Sequence, residues 1–130
     1  MYKRQYYNDS KGTNPDSSIK ALEAMTKPTL IIAGGYDKHS EFDGFIDAFG
    51  GKVKLMVLIG TTAPQIEKTA RAHGFDNIIN TDSLENAVQI CHDNAVSGDV
   101  VLLSPACASW DMFKSYEERG RLFKEYVNRF

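Results

Sequence analysis

Three segments of this 130-residue chain gather the side chains that could do chemistry. Asn8-Asp9-Ser10-Lys11-Gly12-Thr13-Asn14 packs charge and hydroxyls between a β-rich run and a helix start, and Tyr36-Asp37-Lys38-His39-Ser40 follows the apolar run Thr29 to Ala33. The third, Ser104-Pro105-Ala106-Cys107-Ala108-Ser109-Trp110-Asp111, follows Val100 to Leu103 and is built of residues small enough for a ligand to approach the backbone. The first two also read, taken alone, as ordinary solvated turns, in which the first caps a helix and Lys38 points into water, whereas a loop without a ligand has less reason to be as small as the third. Together, one lysine, two hydroxyls and the N–H groups of helix starts suit a small molecule that carries carboxylates.

Other chemistries lack their residues. There is no G-x-x-x-x-G-K-[ST] and no G-x-G-x-x-G, and Gly50-Gly51-Lys52 leads into a strand, the wrong context for a phosphate loop. His39, His73 and His92 are far apart, and Cys91 and His92 diverge as helix neighbours, so no metal set is expected. Ser104-Pro105 lacks the strained G-x-S-x-G elbow, and no histidine pairs with a serine, which argues against a hydrolase triad. His39 and Trp110 have no role that their spacing suggests.

The elements that must position these loops alternate in period. Strands are expected at Arg4 to Asn8, Thr29 to Ala33, Val53 to Ile59, Phe75 to Asn80 and Val100 to Leu103. Helices are expected from Pro15 to Met25 behind an Asn14 cap, across Phe42, Phe45, Ile46 and Phe49 up to Gly50-Gly51, and from Thr62 to His73 behind a Thr62-to-Gln65 capping box. Two more follow: one capped by Asp82 and Glu85 with Leu84, Val88, Cys91 and Ala95 on its buried face and Gly98 closing it, and one from Asp111 to the end. On that last helix Phe113, Tyr116, Phe123 and Val127 form the inner face, and Glu117 with Arg121 and Glu125 with Arg129 form exposed pairs. The sum is an α/β fold: a Rossmann-like, three-layer domain whose mostly parallel sheet of five or six strands is flanked by helices. Ligands in such folds sit beyond the carboxyl ends of the strands, where the loops at 9–13, 34–40, 60–62 and 104–111 all lie. Strand order cannot be read from these patterns.

Composition narrows the class further. Fifteen basic and 17 acidic residues leave a net charge of −2, with no electrostatic footprint for nucleic acid. The aliphatic runs of four or five residues fall far short of the roughly 18 needed to cross a bilayer, and Met1 to Tyr7 is not followed by an apolar stretch, so no secretory signal is expected. Cys91 and Cys107 read as reduced thiols of a cytoplasmic protein, and the length suits one domain over residues 1–130, expected as a monomer.

The run Asn8 to Asn14, the Gly34-Gly35-x-x-Lys38 loop and above all Leu102-Leu103-Ser104-Pro105-Ala106-Cys107-Ala108-Ser109-Trp110-Asp111-Met112-Phe113-Lys114-Ser115-Tyr116-Glu117-Glu118-Arg119-Gly120 resemble the C-terminal domain of the Mur ligases. The block S-P-A-x-A-S-x-D-x-F-x-x-[FY]-x-x-R-G is most similar to the branch that adds D-glutamate to UDP-N-acetylmuramoyl-L-alanine in peptidoglycan synthesis. The resemblance implies a three-domain, ATP-dependent amide ligase of which this chain matches only the last domain. The UDP-binding and central ATPase domains, the latter holding ATP and Mg2+, are then expected to be missing from it. ATP phosphorylates the substrate carboxylate in that family, and the amine of D-glutamate attacks the acyl phosphate.

By that resemblance Thr13 and Lys38 hold the α-carboxylate of D-glutamate, while Ser109, with N–H groups near Tyr116, holds the side-chain carboxylate. Asp9 faces the ATP ribose and Lys11 lies near the phosphates; no residue of the chain is assigned a catalytic role. Gly12 stands where alanine is common and Tyr116 where phenylalanine is expected, and neither change removes a needed group. Residues 1–5 do not resemble the family's interdomain linker. A stand-alone, non-catalytic α/β anion-binding module with the same fold is the main alternative, and a Mur ligase for another amino acid fits the S-P-A-x-A-S block less well.

Overall fold

A computed structural model describes residues 5–9, 14–35, 41–107 and 115–130. Five strands, β1 (Gln5–Asn8), β2 (Thr29–Ala33), β3 (Val53–Leu58), β4 (Ile78–Asn80) and β5 (Val100–Leu103), alternate with five helices. These are α1 (Pro15–Glu23), α2 (Asp43–Asp47), α3 (Ala63–Ala72), α4 (Leu84–Asn94) and α5 (Tyr116–Val127). Every pairing is parallel, in the order β1-β5-β2-β3-β4, so the last strand slots between the first two.

Side chains alternate across the central strands and divide the core in two. Ile31, Met56, Leu58 and Leu102 face α1, α2 and α3 through Leu22, Phe45, Ile46, Ile66 and Ala70. Leu30, Ile32, Val57, Val101 and Leu103 face α4 and α5 through Leu84, Ala87, Val88, Cys91 and Phe123. Burial on both faces is why β2 and β5 read as unbroken apolar runs. One extra residue interrupts the register: Thr29 pairs with Val53 but Leu30 with Leu55, leaving Lys54 bulged outward. Its ammonium reaches the nearly buried carboxylate of Asp99 at 2.6 Å.

The expected helices form, with local corrections. Asn14 caps α1 by accepting from the Ser17 N–H at 3.0 Å, as its position implies. The α2 helix covers only five residues, because Gly44 weakens it and the chain turns through positive φ at Gly50 and Gly51; Phe42 and Phe49 still join its buried face from outside. The cap of α4 is Ser83 rather than Asp82, with Ser83 Oγ accepting from Asn86 N–H while Asp82 takes the Asn86 side chain. Helix α4 ends at Asn94, and Gly98 turns the chain beyond it at φ +91°. Helix α5 starts at Tyr116, not Asp111, since Ser115 is the cap; Asp111 and Phe113 lie outside the described residues. Its ion pairs also differ: Arg121 binds Glu125, while Arg129 reaches across to Glu85 on α4, because the chain end packs against that helix.

His73, the C-cap of α3, lies 2.7 Å from Asp43 and 2.9 Å from Asp47 and ties α3 to α2. Hydrogen bonding to Asp43, joined by the negative charge of Asp47, raises its pKa above the ordinary 6.5. A raised folded-state pKa gives stability that is present in full below the unfolded value and lost as pH climbs through the folded one. The His73 ring is expected to titrate above 6.5 by NMR and to return toward that value in the double variant Asp43→Asn, Asp47→Asn. An unmoved midpoint would remove this tie from the account.

Candidate functional site

All five strands point the same way, so the loops after them collect at one edge of the sheet. Two clamps hold that edge together. The first joins the loops after β2, β3 and β5. Gly34 N–H donates to the Pro105 carbonyl at 2.9 Å, and a Cβ on Gly34 would stand 1.9 Å from the Ile59 carbonyl oxygen; with φ at +107°, only glycine fits. Next to it the buried Thr62 hydroxyl accepts from Gly35 N–H and donates to the Gly35 carbonyl, both at 3.0 Å, and lies 3.3 Å from Cys107 Sγ. With its single proton on the carbonyl, that hydroxyl accepts from the Cys107 thiol. This is why the expected capping box of α3 does not form: Thr62 makes no side-chain cap bond, its own backbone is helical, and its oxygen is committed to Gly35.

The second clamp joins the loop after β1 to the loop after β5 and to the start of α5. Asp9 N–H donates to Leu103 O at 2.7 Å, and the wholly buried Ser104 hydroxyl donates to Asp9 Oδ2 at 2.8 Å. Burial pushes the Asp9 carboxyl above the usual range, while the Ser104 bond and the positive charge of Arg119 pull it back. Arg119, only 1% exposed, donates from Nη1 to the Cys107 carbonyl at 3.0 Å. Asn8 Nδ2 donates to Gly120 O and docks β1 on the same turn of helix. Between the clamps, Ala106 is held at φ +63°, the sole non-glycine with positive φ among the described residues. Such strain persists where the surroundings over-determine it, and it clusters at binding sites.

Of the residues expected to bind ligand, Asp9 stands at this edge, half-buried, and Tyr116 opens α5 at 36% exposure beside the Ser115 cap, whose Oγ accepts from Glu118 N–H. Lys11, Thr13, Lys38 and Ser109 lie outside the described residues. The described residues that flank their loops, Asp9 and Asn14, Gly35 and Glu41, Cys107 and Ser115, include the anchors of both clamps. Thr62, Ser104 and Arg119 are contributors whose partners the sequence reading did not give: Thr62 is expected there as a cap, and Ser104 and Arg119 only as members of a loop and a family block. Arg119 left a signal of burial: it lies four residues before the core residue Phe123, on the inward stripe of α5, where a cation is out of place. Cys91 is a different case, a core thiol whose pKa burial pushes up to about 12, so it has no nucleophilic use. Among the described residues no three His, Cys, Asp or Glu side chains gather as a metal site, and no helix is long and apolar enough to cross a membrane.

A parallel, three-layer α/β domain is of the class in which ligands, where bound, lie beyond the carboxyl edge of the sheet, the edge that the two clamps hold together. Comparison with known proteins makes the class specific. The family model of the Mur ligase, glutamate ligase domain matches residues 2–107, and the chain belongs to that family. It is 63% identical over 123 residues to the UDP-N-acetylmuramoylalanine--D-glutamate ligase of Lachnospira eligens, covering 95% of this chain and 27% of that protein. Identity is 58% to the ligase of the same name from a Thermoanaerobacter species and 51% to that of Clostridioides difficile, again over 95% of this chain and 28% and 27% of those proteins. The chain thus spans about a quarter of the length of the curated relatives it matches. Among solved structures, Escherichia coli FolC in complex with ADP superposes with a TM-score of 0.59 at 16% identity, over 91% of this chain and 28% of that one. The UDP-N-acetylmuramate-alanine ligase MurC of Thermotoga maritima gives 0.57 at 13%, over 89% and 25%. These two likenesses bear out the Rossmann-like α/β fold.

Proposed function

We propose that this chain is the amino-acid-binding domain of an ATP-dependent ligase that joins D-glutamate to UDP-N-acetylmuramoyl-L-alanine. The observation that carries the proposal is the 51–63% identity, over nearly the whole chain, to ligases named for that reaction. The clamped edge agrees with it chemically. A dicarboxylate amino acid needs two separated anion sites, and the family resemblance supplies them as Thr13 with Lys38 at one end and Ser109 with the backbone near Tyr116 at the other. An ammonium contributes a point charge and a hydroxyl a directed hydrogen bond, so the substrate's two carboxylates fix its amine in space. That fixing is this domain's share of the rate, because an aligned nucleophile removes entropy from the barrier.

The nucleotide does not fit this chain on its own, since the sequence holds no phosphate loop. ATP and Mg2+ are assigned to domains outside these residues, along with the UDP-sugar substrate. Asp9 and Lys11 are proposed to meet the nucleotide only on closure of the domains, in a monomeric cytoplasmic enzyme with no nucleic-acid or membrane partner. The amide resonances of Thr13, Lys38, Ser109 and Tyr116 are expected to shift on titration with D-glutamate and not with L-glutamate. Equal shifts with both enantiomers would replace this reading with a non-catalytic anion-binding module of the same fold.

A further inference from the structure

Arg119 is the one charged side chain among the largest fully buried ones of the described residues. Its surroundings disfavour it on two counts. Burying a guanidinium costs its hydration, and the amino-terminal end of α5, where it sits, carries the positive end of the helix dipole. The same turn follows the usual rule at its neighbours, with Glu117 and Glu118 as the acids and Ser115 as the cap. A cation retained against both terms points to a task other than stability.

Its contacts indicate the task. The guanidinium bonds the carbonyl of Cys107, one residue after the strained Ala106, and three residues earlier on the same loop Ser104 holds the carboxylate of Asp9, whose pKa the positive charge of Arg119 lowers. Three segments far apart in the chain are therefore joined in series: Ser104 ties the loop after β5 to Asp9 at the end of β1, Arg119 ties the same loop to the start of α5, and Asn8 closes the circuit on the Gly120 carbonyl. We propose that Arg119 is a positioning residue: it fixes the Ser104–Cys107 loop against Asp9, so that the amino-acid end and the nucleotide end of the site keep one spacing whether or not a ligand is bound. The proposal rests on the ligase reading for what the two ends bind, but not for the brace itself. The bond to Cys107 does not require Arg119 to touch substrate.

Arg119→Met and Arg119→Lys in the 130-residue chain separate the charge from the planar fork. In Arg119→Met the Asp9 carboxyl, followed by its carbon shift, is expected to titrate higher than in the parent, the Cys107 carbonyl resonance to move, and D-glutamate to bind at least tenfold more weakly. In Arg119→Lys the Asp9 midpoint is expected to stay near that of the parent, because the charge remains, while Cys107 still moves and D-glutamate binding weakens severalfold. Should Arg119→Met not fold, the lysine variant decides alone. An unmoved Cys107 carbonyl in that variant, or parent-like Asp9 titration in a folded methionine variant, overturns the brace. Failure of the parent chain to bind D-glutamate counts against the ligase reading instead, and leaves the brace to be judged on Asp9 and Cys107.

Discussion

Gly34→Ala is expected to cost the fold on the order of 4 kcal/mol, a large part of the 5–15 kcal/mol by which a domain of this kind is usually stable. Two effects combine. A Cβ there would sit 1.9 Å from the backbone oxygen of Ile59, and neither partner is a flexible side-chain end that could swing aside. The φ of +107° is in addition a region that L residues avoid. Gly51→Ala is the internal control, since Gly51 also has positive φ, at +79°, but nothing within 4 Å of the added methyl. It should lose only the roughly 1 to 2 kcal/mol of a left-handed L residue. Urea unfolding of both variants reads the difference, and equal losses would show that the close approach of Gly34 to Ile59 carries no weight. Because Gly34 also donates to Pro105, its variant should loosen the loop that leads to Ser109 before it unfolds the sheet.

Lys38→Ala and Ser109→Ala, made in a full-length ligase, should each raise the D-glutamate KM with little change in Tm. A hydrogen bond to a charged group contributes about 1.5 to 3 kcal/mol, so the loss should be roughly ten- to hundredfold in KM for Lys38. Ser109 supplies a neutral donor and should sit at the lower end. The KM values for ATP and for the UDP-sugar substrate should move much less, because other domains are proposed to hold those ligands. Unchanged D-glutamate kinetics in both variants would remove the two residues from the site.

The sequence pattern carried some elements to the residue and others not at all. Thr29–Ala33 and Val100–Leu103 were legible because strands buried on both faces are almost wholly apolar, the exception being Thr29 at the strand start, whose buried hydroxyl is satisfied by the Lys27 carbonyl. Their order in the sheet was not, since an apolar run says that a strand is central without saying which neighbour it takes. Thr62 misled for a related reason. A threonine four residues into a loop looks like a cap from its local neighbours, and its true partner, Gly35, is 27 residues away. The site divides likewise. Asp9 and Tyr116 could be placed by motif and stand at the expected edge, whereas the buried partners that orient the edge, Ser104 and Arg119, act across separations of 95 and 12 residues that no local pattern encodes.

The position of β5 between β1 and β2 has a consequence for how the molecule comes into being. During synthesis β2, β3 and β4 can pair in order as they emerge, since each lies beside its predecessor. The first strand has no partner until the fifth arrives, and the Asp9–Ser104 bond must close a loop spanning 95 residues. Loop closure of that length is paid before its contacts give anything back, which delays the step. The half of the molecule that carries both clamps on the β5 loop is therefore the last to assemble on the ribosome, and a chain interrupted before Val100 would possess a sheet but no site.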